Sequence, residues 1–176
     1  KAEGFDESMF EGSGLFFGQG GAQRAGRDWL CRFRGRLMIP IRDINGKVVG
    51  FTGRKLVSTP KNDPAFEAKY VNSPATDLFQ KGQLLFGLYH AKKHVSEKAP
   101  FIMVEGQLDA IRCWTEGIHQ AIAPQGTAVT VEQLRILRRH CPRLICCLDG
   151  DAAGGRAALR MLPLSLSVGL EVSFLT

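Results

Sequence analysis

Apolar positions follow two regimes along the chain. From residue 100 onward, short apolar runs alternate with segments of helical spacing. Residues 100–104, 119–123, 144–148 and 170–175 are strand-like runs. Residues 108–115 carry Leu108, Ile111 and Cys113 on a helical period. Thr130-Val131-Glu132-Gln133 fits a capping box, which predicts a helix from there to about His140. Residues 152–162 predict a third helix, with Pro163 expected to stop it. Strands that alternate with helices predict an α/β fold with a mainly parallel sheet flanked by helices.

The first hundred residues are less regular. Gly12-Ser13-Gly14 and Gly18-Gln19-Gly20-Gly21 interrupt residues 1–30, which read as a short helix followed by loop. Residues 37–41 and 47–51 are strand-like, and Asn45-Gly46 between them is a strong hairpin signal. Residues 57–68 hold Pro60 and Pro64 and predict an exposed loop. Residues 84–96 predict a helix. The expected division is a smaller basic α+β subdomain at 1–98, then an α/β subdomain at 99–176. The chain stops just after an apolar run, so a piece of something longer is expected.

Charge sharpens that division. Of the 176 residues, 23 are Lys or Arg and 17 are Asp or Glu, a net of +6. The whole excess lies within residues 1–100, densest from Arg24 and Arg27 through Arg32, Arg34, Arg36 and Arg42 to Lys69 and Lys81. A basic part beside a neutral part suggests a polyanion-binding surface. No apolar run approaches the roughly 20 residues needed to span a bilayer, so no membrane is expected. The five cysteines form no C-x-x-C pair, so no zinc site is expected and the thiols suit a reducing compartment. His90 and His94 are four apart on an expected helix, and read as surface histidines.

The acidic residues fall where a parallel sheet places its ligands. Glu105 follows the strand-like run at 100–104, and Asp109 lies one helical turn further on. Asp149 follows the run at 144–148, with Asp151 two residues later. Ligands bind beyond the carboxyl ends of parallel strands. Glu105, Asp149 and Asp151 should therefore converge on one edge. Such like charges repel unless a cation sits among them, and hard carboxylate oxygens select Mg²⁺ or Mn²⁺ over zinc. Gly106, Gly150 and Gly154 allow close approach of backbone or phosphate. Ordinary acidic helix caps are the alternative, since Asp151 can cap the helix at 152.

Three segments carry a resemblance. Val104-Glu105-Gly106-Gln107-Leu108-Asp109, Gln125-Gly126-Thr127-Ala128 and Asp149-Gly150-Asp151-Ala152-Ala153-Gly154 resemble the signatures of the Toprim fold. That fold is shared by topoisomerases, bacterial primases and certain nucleases. The segments Arg32 to Asp43, Gly50-Phe51-Thr52-Gly53-Arg54, Lys69-Tyr70-Val71-Asn72-Ser73-Pro74 and Phe79-Gln80-Lys81-Gly82 are similar to the bacterial replicative DNA primases.

The resemblance implies the central part of a primase RNA polymerase region, a nucleotidyltransferase that makes short RNA primers on single-stranded DNA. It implies Glu105, Asp149 and Asp151 as catalytic, metal-binding carboxylates supported by Asp109, with Mg²⁺ or Mn²⁺ as cofactor. Glu105 serves there as general base or simply as a ligand. Arg54, Lys69, Lys81, Asn72, Ser73 and Arg36 are implied to handle template or nucleotide phosphates. The implied partners are single-stranded DNA, ribonucleoside triphosphates, the RNA primer and the replicative helicase, in the bacterial cytoplasm at the replication fork. The family's zinc-binding module, its helicase-binding module and a further acidic loop are not in this sequence. The 176 residues are thus expected to fold yet bind metal weakly and make no primers alone. A Toprim nuclease, a topoisomerase relative or a non-catalytic nucleic-acid-binding module is the alternative. Only Tyr70 and Tyr89 could serve as a topoisomerase nucleophile.

Overall fold

The computed structural model describes residues 4, 7–19, 28–126 and 128–175. The predicted basic positions Arg24 and Arg27, and Thr127 of the second Toprim-like segment, lie outside them. The chain divides into two compact units, residues 1–41 with 48–80, and residues 42–47 with 81–176. Residues 81–98, grouped from sequence with the basic region, cluster with the second unit.

In the first unit, helix α1 (Glu7–Ser13) leads into strands β1 (Phe16–Gln19) and β2 (Asp28–Cys31). These pair antiparallel, with Phe16 opposite Cys31. The short helix was expected, but the hairpin corrects the expected loop. Its cause is a non-local aromatic cluster, in which Phe10 lies 5.2 Å from Phe16 and 5.8 Å from Trp29, centroid to centroid. A three-stranded antiparallel sheet follows: β3 (Arg36–Arg42), β4 (Val48–Lys55) and β5 (Tyr70–Asn72). Residues 57–68 form turns, as the two prolines predict.

The hairpin turn at 42–47 belongs to the second unit. Gly46 has φ +91, which a glycine adopts without strain, and its Cα faces the Tyr89 ring. The Asp43 carboxylate accepts hydrogen bonds from the Asn45 and Lys47 amides, each at 2.9 Å.

The second unit holds a four-stranded parallel sheet of β6 (Phe101–Val104), β7 (Ala121–Ile122), β8 (Arg143–Cys147) and β9 (Glu171–Leu175), in spatial order β7-β6-β8-β9. Helices α3 (Gln107–Thr115), α4 (Val131–His140) and α5 (Ala152–Ser167) connect the strands. The predicted α/β architecture is present. Phe101, Met103, Ile122, Leu134, Leu137, Leu144 and Met161 build its buried core. The capping box forms as read: Gln133 N–H donates to Thr130 Oγ1, and Gln133 Oε1 accepts from Thr130 N–H at 3.0 Å.

Two helices differ from expectation. The predicted helix at 84–96 is only α2 (Leu88–Ala91). Gly87, at φ +82, stands at its start and cannot continue a helix. Phe86 before it is extended and exchanges two backbone hydrogen bonds with Ala123. Helix α5 runs through Pro163 rather than stopping there. An interior proline costs about 3 kcal/mol. Burial beyond it offsets this cost: Leu164 packs on the core, and Ser165 is buried with its hydroxyl on the Met161 carbonyl at 2.9 Å.

Candidate active site

Strand order alone creates a crevice at one edge of the parallel sheet. From β6 the chain leaves through α3 to β7 on one side. From β8 it leaves through α5 to β9 on the other. The connections diverge between adjacent strands, and such a switch point is where open α/β sheets bind ligands. Val104 and Cys147 are register partners, so the segments that follow them start side by side.

Glu105 and Asp149 occupy those segments. Glu105 Oε1 accepts a hydrogen bond from the Asp149 amide at 2.8 Å. Both side chains are exposed at the edge. Asp151 caps α5: its Oδ1 accepts from the Ala153 and Gly154 amides, each at 2.8 Å. The Gly154 and then the Ala153 hydrogen bond hold the Asp151 carboxyl below its ordinary range. Its capping contribution is therefore complete above that range and fades as pH falls through the lowered value. The predicted caps and the predicted cation edge are thus the same place. Asp109, in the first turn of α3, folds back over Gly106, where an added Cβ would lie 2.7 Å from its Oδ2.

Gly154 is the tightest point. An added Cβ would stand 2.0 Å from the Asp149 carbonyl oxygen. The start of α5 therefore lies directly on the loop that carries Asp149. A cavity of about 410 Å³ opens beside Glu105, Gly126 and Gly154, floored by Met103, Leu148 and Met161.

The donor set suits a hard cation. Mg²⁺ is usually held by one or two carboxylates, several waters and substrate phosphates. Among the described residues no group of three or more His, Cys, Asp or Glu side chains stands ready to hold a metal ion. Glu105 and Asp149, which follow adjacent strands at one sheet edge, would supply the one or two carboxylates of that sparser arrangement.

Sequence reasoning missed three glutamines that position this end of the unit. Gln107 Nε2 donates to Gln125 Oε1 at 2.6 Å, tying the start of α3 to the segment after β7. Gln125 is buried. Fully buried Gln133 donates to the Lys81 and Leu84 carbonyls at 2.9 and 2.8 Å, which pins the Lys81 turn to α4. The capping box marked Gln133 in advance, and the Toprim-like segments included Gln107 and Gln125 without giving either a role.

The basic candidates in the first unit part into two kinds. Arg54 and Lys69 gather around exposed Tyr70: Arg54 donates to Tyr70 Oη at 3.0 Å, and Lys69 Nζ lies 5.8 Å from the ring centroid. This is an accessible cationic and aromatic surface. Asn72 Oδ1 accepts from Thr52 Oγ1 at 2.7 Å. Ser73 is buried, and its hydroxyl accepts from the Phe51 amide at 3.0 Å, so it holds strand pairing rather than facing a ligand.

Arg36 is a correction. Its side chain is fully buried, pairs with buried Asp63 at 3.8 Å, and donates to the Ala65 and Ala68 carbonyls at 2.6 and 2.9 Å. It closes the 57–68 loop and presents nothing to a phosphate. Removing it strands a buried carboxylate, which typically costs about 3 to 5 kcal/mol. Arg36→Ala is therefore expected to lower unfolding stability by about 3 kcal/mol in urea titrations. A loss below about 1 kcal/mol would contradict the structural role.

Comparisons with known proteins agree with this geometry. The family described as DNA primase catalytic core, N-terminal domain, matches residues 2–92, and a Toprim-like family matches residues 102–176. The chain is 42% identical over 146 residues to the DNA primase of Aquifex aeolicus (strain VF5), covering 83% of this chain and 28% of that relative. It spans about a quarter of the length of the curated relatives it matches. A crystal structure of the zinc-binding and RNA polymerase domains of the Aquifex aeolicus primase superposes with a TM-score of 0.81 at 36% identity, over 95% of this chain and 39% of that one. A structure of a DnaG primase catalytic domain bound to single-stranded DNA gives 0.80 at 35% identity, over 98% of this chain and 52% of that one.

Proposed function

Because the chain belongs to the DNA primase catalytic core family, we propose that it forms part of the centre where a DNA-dependent RNA polymerase joins ribonucleotides into primers. The observation that carries this reading is the Glu105–Asp149 pair at the switch point of the parallel sheet, beside the Asp151-capped start of α5.

Nucleotidyl transfer asks the protein mainly for positioning and charge compensation. Glu105, Asp149 and Asp151 would hold Mg²⁺ or Mn²⁺, with Asp109 supporting from α3. The bound cation would supply charge neutralisation at the attacking hydroxyl and the reacting phosphate. Glu105 also accepts from the Asp149 backbone amide, which ties the two loops together. Asp151 keeps its negative charge through its two amide bonds and aims the start of α5 at the same edge.

Arg54 and Lys69 clamp phosphates of the template strand, and the Tyr70 ring between them offers a base a stacking face. Asn72 shapes the same strand, and Lys81 serves nucleotide phosphates from its pinned turn. The wider reading assigns the chain to a bacterial replication fork, with single-stranded DNA, ribonucleoside triphosphates and the RNA primer as substrates or products. The replicative helicase is the protein partner in this reading. No helix among the described residues is long and apolar enough to cross a membrane.

Arg54→Ala and Lys69→Ala are each expected to weaken single-stranded DNA binding and to lower the slope of log affinity against log salt by about 1. Fluorescence anisotropy across a salt series reads both. Unchanged slopes would place the DNA path elsewhere. The reading as a whole is tested with a full-length primase carrying this sequence, given single-stranded DNA, ribonucleotides and Mg²⁺. Short RNA products are expected. DNA cleavage without synthesis would instead indicate a nuclease.

A further inference from the structure

The two histidines read from sequence as surface residues, His90 and His94, are joined in space by a third, His119. His119 lies two residues before β7, so it stands at the edge of the parallel sheet opposite Glu105. There it meets His90 of α2 and His94 just beyond it. The ring centroids form a near-equilateral triangle: His90 to His94 5.0 Å, His90 to His119 5.4 Å, and His94 to His119 4.9 Å.

The site has a built wall. The Trp114 ring lies 5.1 Å from His90, stacks on Phe86 at 5.5 Å, and is fixed by its Nε1 donating to the Ala121 carbonyl at 3.0 Å. His94 is exposed and leaves the opposite side open to solvent.

We propose that His90, His94 and His119 form a site for a divalent transition metal of the Zn²⁺ class, distinct from the strand-end carboxylates. Three imidazoles on one tetrahedral ion, with bonds of about 2.0 Å, place neighbouring nitrogens about 3.4 Å apart and ring centroids about 5 Å apart. His90 Nε2 and His119 Nδ1 are 3.4 Å apart, and all three centroid distances fall near that value. In the described arrangement no three such side chains are already set to hold a metal ion. Ligation therefore requires side-chain rotation, and His94, being exposed, has the room for it.

Metal binding needs neutral imidazole. Lys93, the nearby lysine cation, sits with its Nζ 4.2 Å from the Tyr89 ring centroid.

The test is Zn²⁺ titration of the chain by calorimetry, with Co²⁺ absorption as a second readout. One equivalent is expected to bind at micromolar concentrations. His94→Asn and His119→Asn should each weaken it at least about tenfold, while Glu105→Gln with Asp149→Asn leaves it unchanged. Co²⁺ should give tetrahedral bands without thiolate charge transfer. His94→Asn replaces an exposed side chain, so a matching thermal melt separates lost ligation from lost folding. Binding unaffected by both histidine variants, a thiolate band, or no Zn²⁺ uptake below about 100 µM would each overturn the proposal.

Discussion

Asp149→Ala is expected to lower primer synthesis by a full-length primase carrying this sequence about a hundredfold or more, the usual scale for losing a group that compensates transition-state charge. The structure makes this variant informative. Glu105 contacts the Asp149 backbone amide, not its side chain, so alanine keeps the 2.8 Å bond that joins the two loops. The carboxylate is exposed, so its loss should leave the melting temperature nearly unchanged. Activity and stability should therefore separate. Synthesis at the wild-type rate would remove Asp149 from the centre.

The second large effect runs against helix propensity. Gly→Ala inside a helix normally stabilises by about 1 kcal/mol. At Gly154 the added Cβ would fall 2.0 Å from the Asp149 carbonyl oxygen, and that atom is backbone. Either α5 or the Asp149 loop must move, which strains the Asp151 cap and the Glu105 bond together. Gly154→Ala is expected to cost stability and to lower synthesis at least about tenfold. Gly155 provides the control, since nothing lies within 4 Å of its added Cβ. Gly155→Ala should be neutral or stabilising by up to about 1 kcal/mol, and should keep activity. Denaturant titrations and primer assays on the pair decide it. Equal behaviour of the two variants would mean that the close contact has no role.

What could be read in advance follows from the range of the forces involved. The edge carrying Glu105, Asp149 and Asp151 was readable because strand, acidic residue and glycine lie within a few positions of each other. The Thr130 capping box and the Asn45-Gly46 turn were local for the same reason. The misses depend on residues far apart in sequence. Arg36 finds Asp63 across 27 positions, and nothing around Arg36 distinguishes it from the half-buried Arg34 or the exposed Arg42. The β1–β2 hairpin rests on Phe10, Phe16 and Trp29 meeting in space. Pro163 is tolerated only because the residues after it are buried. His119 joins His90 through the topology of β7, which no spacing rule reveals.

The central claim is that the strand-end carboxylates hold a divalent cation. Crystals of the chain soaked in millimolar Mn²⁺ test it through anomalous diffraction. A peak within coordination distance of Glu105 and Asp149 is the predicted result. It should vanish in the Glu105→Gln, Asp149→Asn double variant. Full Mn²⁺ occupancy elsewhere, with that edge empty in a crystal that leaves it open to solvent, would contradict the account.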